Sequence, residues 1–355
     1  MTVSPGDAVT VCGDRCEGKA SRVTVSVKDV AARAGVSIGT VSNVLNNPDK
    51  VSAATARRVR NAIESLGYVR NDAARQLRAG RSRAIGLVVL DVSNPFFAEM
   101  ARGAEDQAAR AGFSVIVGNS SEQEDRELAH LDLFDEQRVH GVLVTPVGQI
   151  DERLHRLRER GIPAVLVDRL STDTSFSSVS VDDVMGGRLA VEHLIEQGAH
   201  RVAYVSGPPQ LRQVRERLEG AMSAVTSHPG VTLQVVESDA LTLAAGHVAG
   251  ERIARMGPDA RPDAVFAAND LVAIGVLQAL AAARIRVPQD MMLIGYDDID
   301  FARSTVVPLS SVRQPAAEIG ASGVRILLEQ AANPDVSPRH VVYEPSLVRR
   351  ASTGG

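Results

Sequence analysis

Basic side chains are concentrated in one short part of this sequence. Residues 21–83 contain twelve lysines and arginines but four acidic residues, although the whole chain of 355 residues has a formal charge of −4. The remainder of the chain is therefore acidic. Lysine and arginine bind phosphate groups, so this distribution indicates a segment that contacts a polyanion such as a nucleic acid. A solvated helical surface would carry the same charge, and the local pattern has to distinguish the two.

Few other residues have the spacing of a catalytic or metal site. Cys12 and Cys16 have no histidine nearby, and a closed zinc site needs four ligands. The eight histidines are scattered, and the sequence has no complete Walker loop, no Gly-x-Gly-x-x-Gly and no His-Glu-x-x-His. We therefore expect a protein that is not an enzyme and that holds no metal or cofactor.

The composition places the chain among globular proteins. Hydrophobic residues make up 44% of it, and the mean hydropathy is −0.02. The length suggests two or three domains. No run of 18 apolar residues is present, and residues 1–26 lack the continuous apolar stretch of a secretory signal. With two cysteines, which exclude a disulfide scaffold, these features predict a cytoplasmic protein.

Three short helices are predicted within the basic segment. Apolar residues share one face of residues 27–35, and Gly35 ends that helix. Ser37 caps a second helix over 38–45, and a turn follows at 46–49. Ser52 caps a third over 53–66, which Gly67 closes. Two helices joined by a tight glycine turn form a helix-turn-helix head, and the basic charge favours DNA binding over a generic three-helix bundle.

Strands and helices alternate from residue 84 onward. The first strand, 85–90, is continuously apolar, as in a parallel sheet that is buried on both faces. The other predicted strands are 114–117, 141–144, 164–167, 179–181, 201–205, 232–237, 264–267 and 291–296. The predicted helices are 95–111, 124–137, 151–160, 184–197, 212–225, 242–256 and 270–283. This alternation predicts a doubly wound α/β architecture, and its size predicts two lobes with a ligand cleft at the strand ends.

The sequence motifs resemble those of the lactose/galactose repressor family. The head carries Val27-Lys-Asp-Val-Ala-Ala-Arg-Ala-Gly-Val-Ser-Ile-Gly-Thr-Val-Ser-Asn-Val-Leu-Asn46. The body carries Ser93-Asn-Pro-Phe-Phe-Ala-Glu99, Val167-Asp-Arg169, Ala267-Ala-Asn-Asp270, Gly295-Tyr-Asp-Asp298 and Ser311-Val-Arg-Gln-Pro315. The resemblance covers about residues 25–350 in order and spacing. The body is also similar to periplasmic sugar-binding proteins, from which the basic head separates it.

The resemblance implies a division of the chain into four segments. We expect a tail at 1–22, the helix-turn-helix head at 23–68, a hinge helix and linker at 69–83, and an effector-binding and dimerisation domain at 84–350. Its first lobe would comprise about 84–181 and 313–332, and its second lobe about 182–312 and 333–350. The last residues, 349–355, show no heptad pattern, so we expect a homodimer rather than a tetramer.

The second helix of a helix-turn-helix enters the major groove, which predicts the DNA-contacting residues. Ile38, Gly39, Ser42 and Asn43 face the base edges, with Ile38 suited to a thymine methyl and Asn43 to adenine. Relatives often have arginine where Asn43 stands. Phosphate contacts are expected from Ser37, Thr40, Asn46 and Tyr68.

The hinge carries a second DNA-binding prediction. In relatives, paired hinge helices enter the minor groove and a leucine wedges a central base step. Leu77 has that position here, with Ala74 one turn earlier and Asn71 at the start of the motif. An apolar wedge unstacks bases and bends the duplex. The alternative is that Leu77 packs beneath the body.

The resemblance to sugar-binding proteins implies a saccharide pocket. Asp91 and Asn94 would line its entrance, and Phe96 or Phe97 would stack on a sugar ring. The polar contacts would come from Asp168, Arg169, Arg217, Asn269, Asp297 and Gln314. Structural roles are open for several of them, namely an Asp168–Arg169 ion pair, a helix cap by Asn269 and a turn at Asp297.

Together these features predict a DNA-binding transcriptional regulator, most simply a repressor, whose hold on a near-palindromic operator is controlled by a small carbohydrate. A purine, nucleoside or sugar phosphate effector stays open within the same family. The alternative from another class is a sugar-binding module with a vestigial DNA-binding head, which would bind DNA without sequence preference.

Overall fold

The protein is described here by a computed structural model, which covers residues 25–68, 82–171 and 173–354. The chain forms two compact units, Met1–Ala79 and Gly80–Gly355. The expected tail, Cys12 and Cys16, and the hinge residues Asn71, Ala74 and Leu77 lie outside the described residues.

The smaller unit contains the three expected helices. They are α1 (Val27–Ala34), α2 (Ile38–Asn46) and α3 (Ala53–Leu66). Ser37 and Ser52 cap α2 and α3 as predicted, each accepting a hydrogen bond from a backbone N–H three residues later. Gly35 and Gly67 end α1 and α3 with φ of 64° and 58°. The predicted turn is partly helical, because Pro48–Lys50 forms a 3₁₀ turn.

The head is held together by a small apolar core. Val30, Val41 and Val59, one from each helix, have no exposed surface. Val44 and several alanines complete this core, and Val36 and Leu45 pack against it. The inward faces predicted for α1 and α2 are thereby confirmed.

The larger unit begins with an alternation of strands and helices that follows the predicted one. Its first elements are β1 (Ala84–Val89), α4 (Pro95–Arg110), β2 (Ser114–Asn119), α5 (Glu124–Glu136), β3 (Gly141–Val144), α6 (Asp151–Glu159), β4 (Ala164–Val167) and β5 (Ser177–Val181). The next are α7 (Asp183–Glu196), β6 (Arg201–Val205), α8 (Arg212–Thr226), β7 (Thr232–Val236), α9 (Leu243–Ala254), β8 (Ala264–Ala267), α10 (Asp270–Ala282) and β9 (Met292–Asp297). The last, which had no predicted counterpart, are β10 (Ser310–Arg313), α11 (Ala316–Ala332), β11 (His340–Tyr343) and β12 (Ser346–Val348).

These strands form two six-stranded sheets. The first lobe is built on the sheet β11-β5-β4-β3-β1-β2, and the second lobe on β12-β10-β9-β8-β6-β7. Every neighbouring pair is parallel except β10 and β12. The expected two-lobed, parallel α/β fold is confirmed, and Asp168 and Asp297 lie at the carboxyl ends of β4 and β9.

The expected lobe boundary near the end of the chain needs a correction. Residues 333–350 were expected in the second lobe, but β11 pairs with β5 in the first sheet, with His340 opposite Ser178. β12 pairs with β10 in the second sheet. The chain therefore changes lobes between Tyr343 and Ser346. The free edge of β5 accepts β11, which supplies hydrogen bonds that no local pattern indicates.

Three helix pairs pack with their backbones in close approach at glycines. A Cβ atom at Gly220 of α8 would overlap the carbonyl oxygen of Val184 in α7. The same holds for Gly103 of α4 against Ala317 of α11, and for Gly275 of α10 against α9. In the second lobe, this packing holds the N-terminal part of α7, at Val184 and Gly187, against Arg217 and Gly220 of α8.

The described residues contain neither a membrane-spanning helix nor a metal-binding cluster. No helix among them has the length and apolar character needed to cross a membrane. No group of three or more histidine, cysteine, aspartate or glutamate side chains among them is arranged to hold a metal ion.

Candidate functional site

The outer face of α2 presents the residues expected at base edges. Ile38 keeps 43% of its surface exposed. Gly39 and Asn43 are exposed and Ser42 is half-buried. Val41 is fully buried on the opposite face. The recognition face predicted from the sequence is thus available to a ligand.

The expected phosphate-binding residues also have structural roles. Ser37 Oγ accepts a hydrogen bond from the backbone N–H of Thr40 at 3.1 Å and lies 2.9 Å from Thr40 Oγ1. Tyr68 is half-buried and packs against the head core. Asn46 is the last residue of α2. The contacts between Ser37 and Thr40 cap the N-terminus of α2.

Arg217 is the centre of the polar cluster between the two sheets of the larger unit. Its Nε donates to Asp183 Oδ1 at 2.7 Å, and its Nη1 donates to the carbonyl of Ala268 at 2.6 Å. The guanidinium carbon lies 3.6 Å from the ring centroid of Tyr296. Asp297 Oδ1 is 3.9 Å from Nη1. Although burial lowers the pKa of Arg217, these negative partners outweigh it and raise that pKa above its ordinary value.

Asp168 follows β4 and is bridged to the second lobe by Gln213. Gln213 Nε2 donates to Asp168 Oδ2 at 2.9 Å and to the carbonyl of Asp168 at 3.0 Å. Asp168 has a φ of 57°, a left-handed conformation that aspartate tolerates. Burial and the nearby Asp183 raise the pKa of Asp168 well above its usual range. No Asp168–Arg169 ion pair forms.

Asp297 is the last residue of β9, and its carboxylate binds one side chain from the first lobe and one that follows β10. It accepts hydrogen bonds from Asn94 Nδ2 at 3.2 Å and from Gln314 Nε2 at 2.7 Å. Its φ of 102° lies in a region that costs energy for a non-glycine residue, as often occurs at functional sites. Burial is the main cause that raises the pKa of Asp297 to about 6.

The remaining predicted residues form hydrogen bonds with nearby backbone or side-chain groups outside the cluster around Arg217. Arg169 is half-buried and donates to the carbonyl of Gly148 at 2.7 Å. Asn269 caps α10, accepting from the backbone N–H of Val272 at 2.9 Å, so the structural alternative is correct for its carbonyl group. Asp91 is bound by Ser93, which donates to it from both its backbone and its hydroxyl.

Phe96 and Phe97 belong to the core of the larger unit. They are 3% and 6% exposed, and their rings meet edge to face with centroids 5.0 Å apart. Asn94 caps α4 at this end and accepts a hydrogen bond from the backbone N–H of Phe96. Neither ring presents an open face of the kind expected for stacking on a sugar.

Sequence reasoning missed three members of the cluster. Asp183 begins α7, Gln213 lies in the first turn of α8, and Tyr296 is the penultimate residue of β9. Tyr296 was visible only as part of the motif Gly295-Tyr-Asp-Asp298, and no motif pointed to Asp183. Gln213 lies four residues before Arg217, one helical turn away, which is the signal that would have found it.

The cluster is equipped to bind a ligand that carries hydroxyl groups. In this cluster, the carboxylate and amide oxygens Asp168 Oδ1, Gln213 Oε1 and Gln314 Oε1 are buried and have no hydrogen-bond partner among the described residues. Leaving a buried acceptor unpaired is costly, and a hydroxyl donor would relieve that cost. Carboxylate, amide and guanidinium groups together are the usual partners of polyols.

Comparison with known proteins agrees with this division into a DNA-binding head and a ligand-binding body. Residues 26–71 match the family described as bacterial regulatory proteins, lacI family, and residues 191–353 match a periplasmic binding protein-like domain. The ribose operon repressor of Escherichia coli strain K12 is 33% identical to this chain over 339 residues. The match covers 92% of this chain and 99% of that repressor.

Two solved structures extend the similarity. The complex of the transcriptional regulator CelR with cellobiose has a TM-score of 0.69 and 32% identity, covering 92% of this chain and 99% of that one. The lac repressor dimer bound to operator and the anti-inducer ONPF has a TM-score of 0.78 and 28% identity, covering 93% and 99%. These relatives are transcriptional regulators and not enzymes. Together with the ribose operon repressor, they establish that this chain belongs to the lacI family of bacterial regulatory proteins.

Proposed function

We propose that this chain is a dimeric, sequence-specific transcriptional repressor whose operator binding is controlled by a small carbohydrate in the cleft of the larger unit. The observation that carries the proposal is the buried polar cluster around Arg217, at the strand ends of both lobes of a protein that also has a DNA-binding head. We place its action in the cytoplasm, where a repressor meets its operator.

On DNA, the first turns of α2 enter the major groove. Ile38 contacts a thymine methyl group, and the carboxamide of Asn43 forms two hydrogen bonds with adenine. Gly39 has no side chain and reads nothing, and Ser42 lies beside it. Phosphate contacts that set the orientation come from Ser37, Thr40, Asn46 and Tyr68. Two heads related by a two-fold axis then read a near-palindrome.

The hinge adds a second contact to this proposal. Leu77 wedges a base step in the minor groove. Ala74 precedes it by one helical turn in the same segment, which Asn71 begins. Unstacking costs a few kcal/mol, which the added contact offsets. Replacement of Leu77 by alanine is then expected to weaken specific binding while non-specific binding persists.

The effector is proposed to bind at the polar cluster. Asp168, Arg217 and Asp297 supply carboxyl and guanidinium groups that form hydrogen bonds there, and the unpartnered Gln314 Oε1 accepts a further hydroxyl. Asn94 bridges to Asp297 from the first lobe. The cellobiose bound to the related regulator CelR supports a carbohydrate as the ligand class.

An apolar face of the second lobe supports the proposed homodimer. Val306 is fully exposed beside a groove on α10 and the following loops, lined by Ile274, Leu277, Ile285 and Val287. An apolar side chain that protrudes beside an apolar groove lets two copies bury both features about a two-fold axis. The dimeric state of the related lac repressor agrees with this arrangement.

Control of DNA binding follows from the contacts between lobes. An effector that binds one arrangement of the lobes more tightly shifts the equilibrium toward it, typically by about 1–3 kcal/mol. In a dimer, that shift changes the distance between the two copies of residue 84. The hinge segments that precede this residue then become ordered or disordered.

The DNA half of the proposal is tested with an operator selected from random sequences by the full chain. Fluorescence anisotropy should show that Asn43→Ala loses about ten-fold or more in affinity for this operator, because one bidentate base contact is worth about 1–3 kcal/mol. Asn61→Ala, an exposed position on α3, is the matched control. Equal binding of selected and scrambled DNA by the unaltered chain would instead favour a vestigial head.

The effector half is tested by thermal unfolding with a panel of pentoses, hexoses, disaccharides and nucleosides. A ligand at 100 times its Kd adds about 2.7 kcal/mol of stability. A hit that disappears in Arg217→Met, with a second variant Gln314→Ala in case the first does not fold, supports the cluster as the binding site. A hit that both variants retain contradicts it.

A further inference from the structure

Guanidinium groups from both lobes meet at the mouth of the cleft. Arg169 follows Asp168 at the end of β4, and Arg212 and Arg215 lie in the first turn of α8. Arg212 Nη1 donates to the carbonyl of Leu170 at 3.1 Å, next to Arg169 along the chain. Burial and the positive charges of Arg212 and Arg215 lower the pKa of Arg169. Positive charges of the two lobes therefore lie close enough at this end of the cleft to act on one another.

The described protein groups leave much of this charge uncompensated. Arg212 is paired with Glu216. In the described part of the chain, no carboxylate lies within 4.0 Å of a nitrogen of Arg169 or Arg215. Their hydrogen bonds go instead to backbone carbonyls, from Arg169 to Gly148 and from Arg215 to residues 209 and 210.

The carboxylates nearest to Arg169 compensate it only in part. Asp151 and Glu127 act on it favourably. Glu127 uses Oε1 to accept the backbone N–H of Val147 at 2.9 Å, and burial raises its pKa to about 7. Part of the Glu127 population is therefore neutral near pH 7. This end of the cleft therefore keeps a net positive charge, because Arg169 and Arg215 have backbone carbonyls rather than carboxylates as hydrogen-bond partners.

The base of the cleft has the opposite character. Its unpartnered buried atoms are the acceptors of Asp168, Gln213 and Gln314, which suit hydroxyl donors. A ligand that satisfies both regions carries hydroxyls at one end and negative charge at the other. We propose that Arg169, Arg212 and Arg215 form an anion subsite, and that the effector is an anionic carbohydrate, a phosphorylated or carboxylated sugar.

This inference rests on the proposed function and specifies its ligand class. A guanidinium donates two parallel hydrogen bonds to a phosphate or carboxylate, so the three arginines can share one anion. Arg169 belongs to the first lobe, whereas Arg212 and Arg215 belong to the second. An anion between them removes their mutual repulsion and favours the arrangement in which the lobes are close.

Inorganic phosphate tests the subsite without knowledge of the sugar. Thermal unfolding of the full chain is followed against phosphate at constant ionic strength set with chloride. We expect a saturable rise in Tm, and at least a ten-fold higher phosphate concentration for the same rise in the double variant Arg169→Gln with Arg215→Gln. Arg255→Gln, an exposed arginine of the second lobe, should behave like the unaltered chain. An unsaturable rise, or the same rise in all three proteins, overturns the subsite.

Matched ligands then separate failure of the subsite from failure of the proposed function. Ribose 5-phosphate is compared with ribose, and glucuronate with glucose, by calorimetric titration. Tighter binding of an anionic member, lost in the double arginine variant, supports the inference and tells phosphate from carboxylate. A neutral sugar that binds as tightly as its anionic partner overturns the inference but leaves the cleft in place. Ligands that bind Asp297→Asn and the unaltered chain equally overturn the cleft itself.

Discussion

Arg217 Nε lies 2.7 Å from Asp183 Oδ1, and the side chains of both residues are at most 4% exposed. This ion pair joins the first turn of α7 to α8 at the point where their backbones approach closely. The same guanidinium binds the carbonyl of Ala268 after β8 and lies over the ring of Tyr296 in β9. One side chain thus ties together two helices and the ends of two strands.

Removal of the charge on Asp183 should destabilise the larger unit. Asp183→Asn leaves Arg217 buried without its closest counter-ion, and breaking a buried pair in this way costs about 3 kcal/mol or more. Urea denaturation followed by circular dichroism measures the loss. Glu192→Gln is the control on the same helix, since its pair with Arg188 is near the surface and contributes little. Equal losses of unfolding free energy in the two variants would show that the buried pair contributes no more than the surface pair.

Glu127 should make stability fall as the pH rises. Burial raises its pKa from 4.5 to about 7, so the folded chain holds a proton between these values that the unfolded chain has released. The free energy of unfolding therefore decreases as the pH rises through this window, by up to about 3 kcal/mol. Glu127→Gln removes this pH-dependent change in the free energy of unfolding.

The difference in Tm between Glu127→Gln and the unaltered chain is thus expected to grow in favour of the variant from pH 5 to pH 8. Scanning calorimetry across this range measures it. Glu105→Gln, at an exposed position on α4, is the control and should show a constant difference. A constant difference for Glu127→Gln as well would mean that the carboxyl ionises at an ordinary pH.

Close backbone packing of α7 and α8 predicts intolerance of a single methyl group. In Gly220→Ala, the new Cβ overlaps the carbonyl of Val184, so the two helices must separate, at a cost of about 1–3 kcal/mol or more. Arg217 moves with α8, and we expect weaker effector binding as well. Gly257→Ala is the matched control, because nothing lies within 4 Å of its added Cβ. Similar stabilities by thermal unfolding would argue against tight packing.

The proposed dimer predicts a response to charge at Val306. Val306→Asp places a carboxylate in the apolar face of the second lobe, where burial against a second copy would be costly. Light scattering at micromolar concentration should then report the mass of a monomer, and operator affinity should fall. Met222→Asp changes an equally apolar side chain, 56% exposed on α8, and should leave the dimer intact. A dimeric Val306→Asp would place the interface elsewhere.

Local sequence was sufficient for the head. Ser37 and Ser52 bind backbone groups three residues away, and Gly35 and Gly67 end helices at their own positions. Such interactions span a single helical turn, so both partners lie within a few residues of each other and can be identified from the sequence. The strands and helices from β1 to β9 are equally visible, because their apolar runs and their periods are local properties.

The ligand cluster required the tertiary structure. Asp168 and Gln213 are 45 residues apart, Arg217 and Asp183 are 34 apart, and Asn94 and Asp297 are 203 apart. Which polar side chains bind one another depends on how sheets and helices pack. For the same reason, Phe96 and Phe97 were expected in the pocket but belong to the core.

The amino-acid sequence by itself determined the head, the alternation of strands and helices, the family and most of the polar residues at the strand ends. Only the tertiary structure decided that β11 joins the first sheet and that Asp183 and Gln213 complete the cluster. The physical reason is the range of the interactions. Caps and apolar periodicity act within a few residues, whereas burial, sheet edges and charge pairing depend on groups that meet only after the chain has folded.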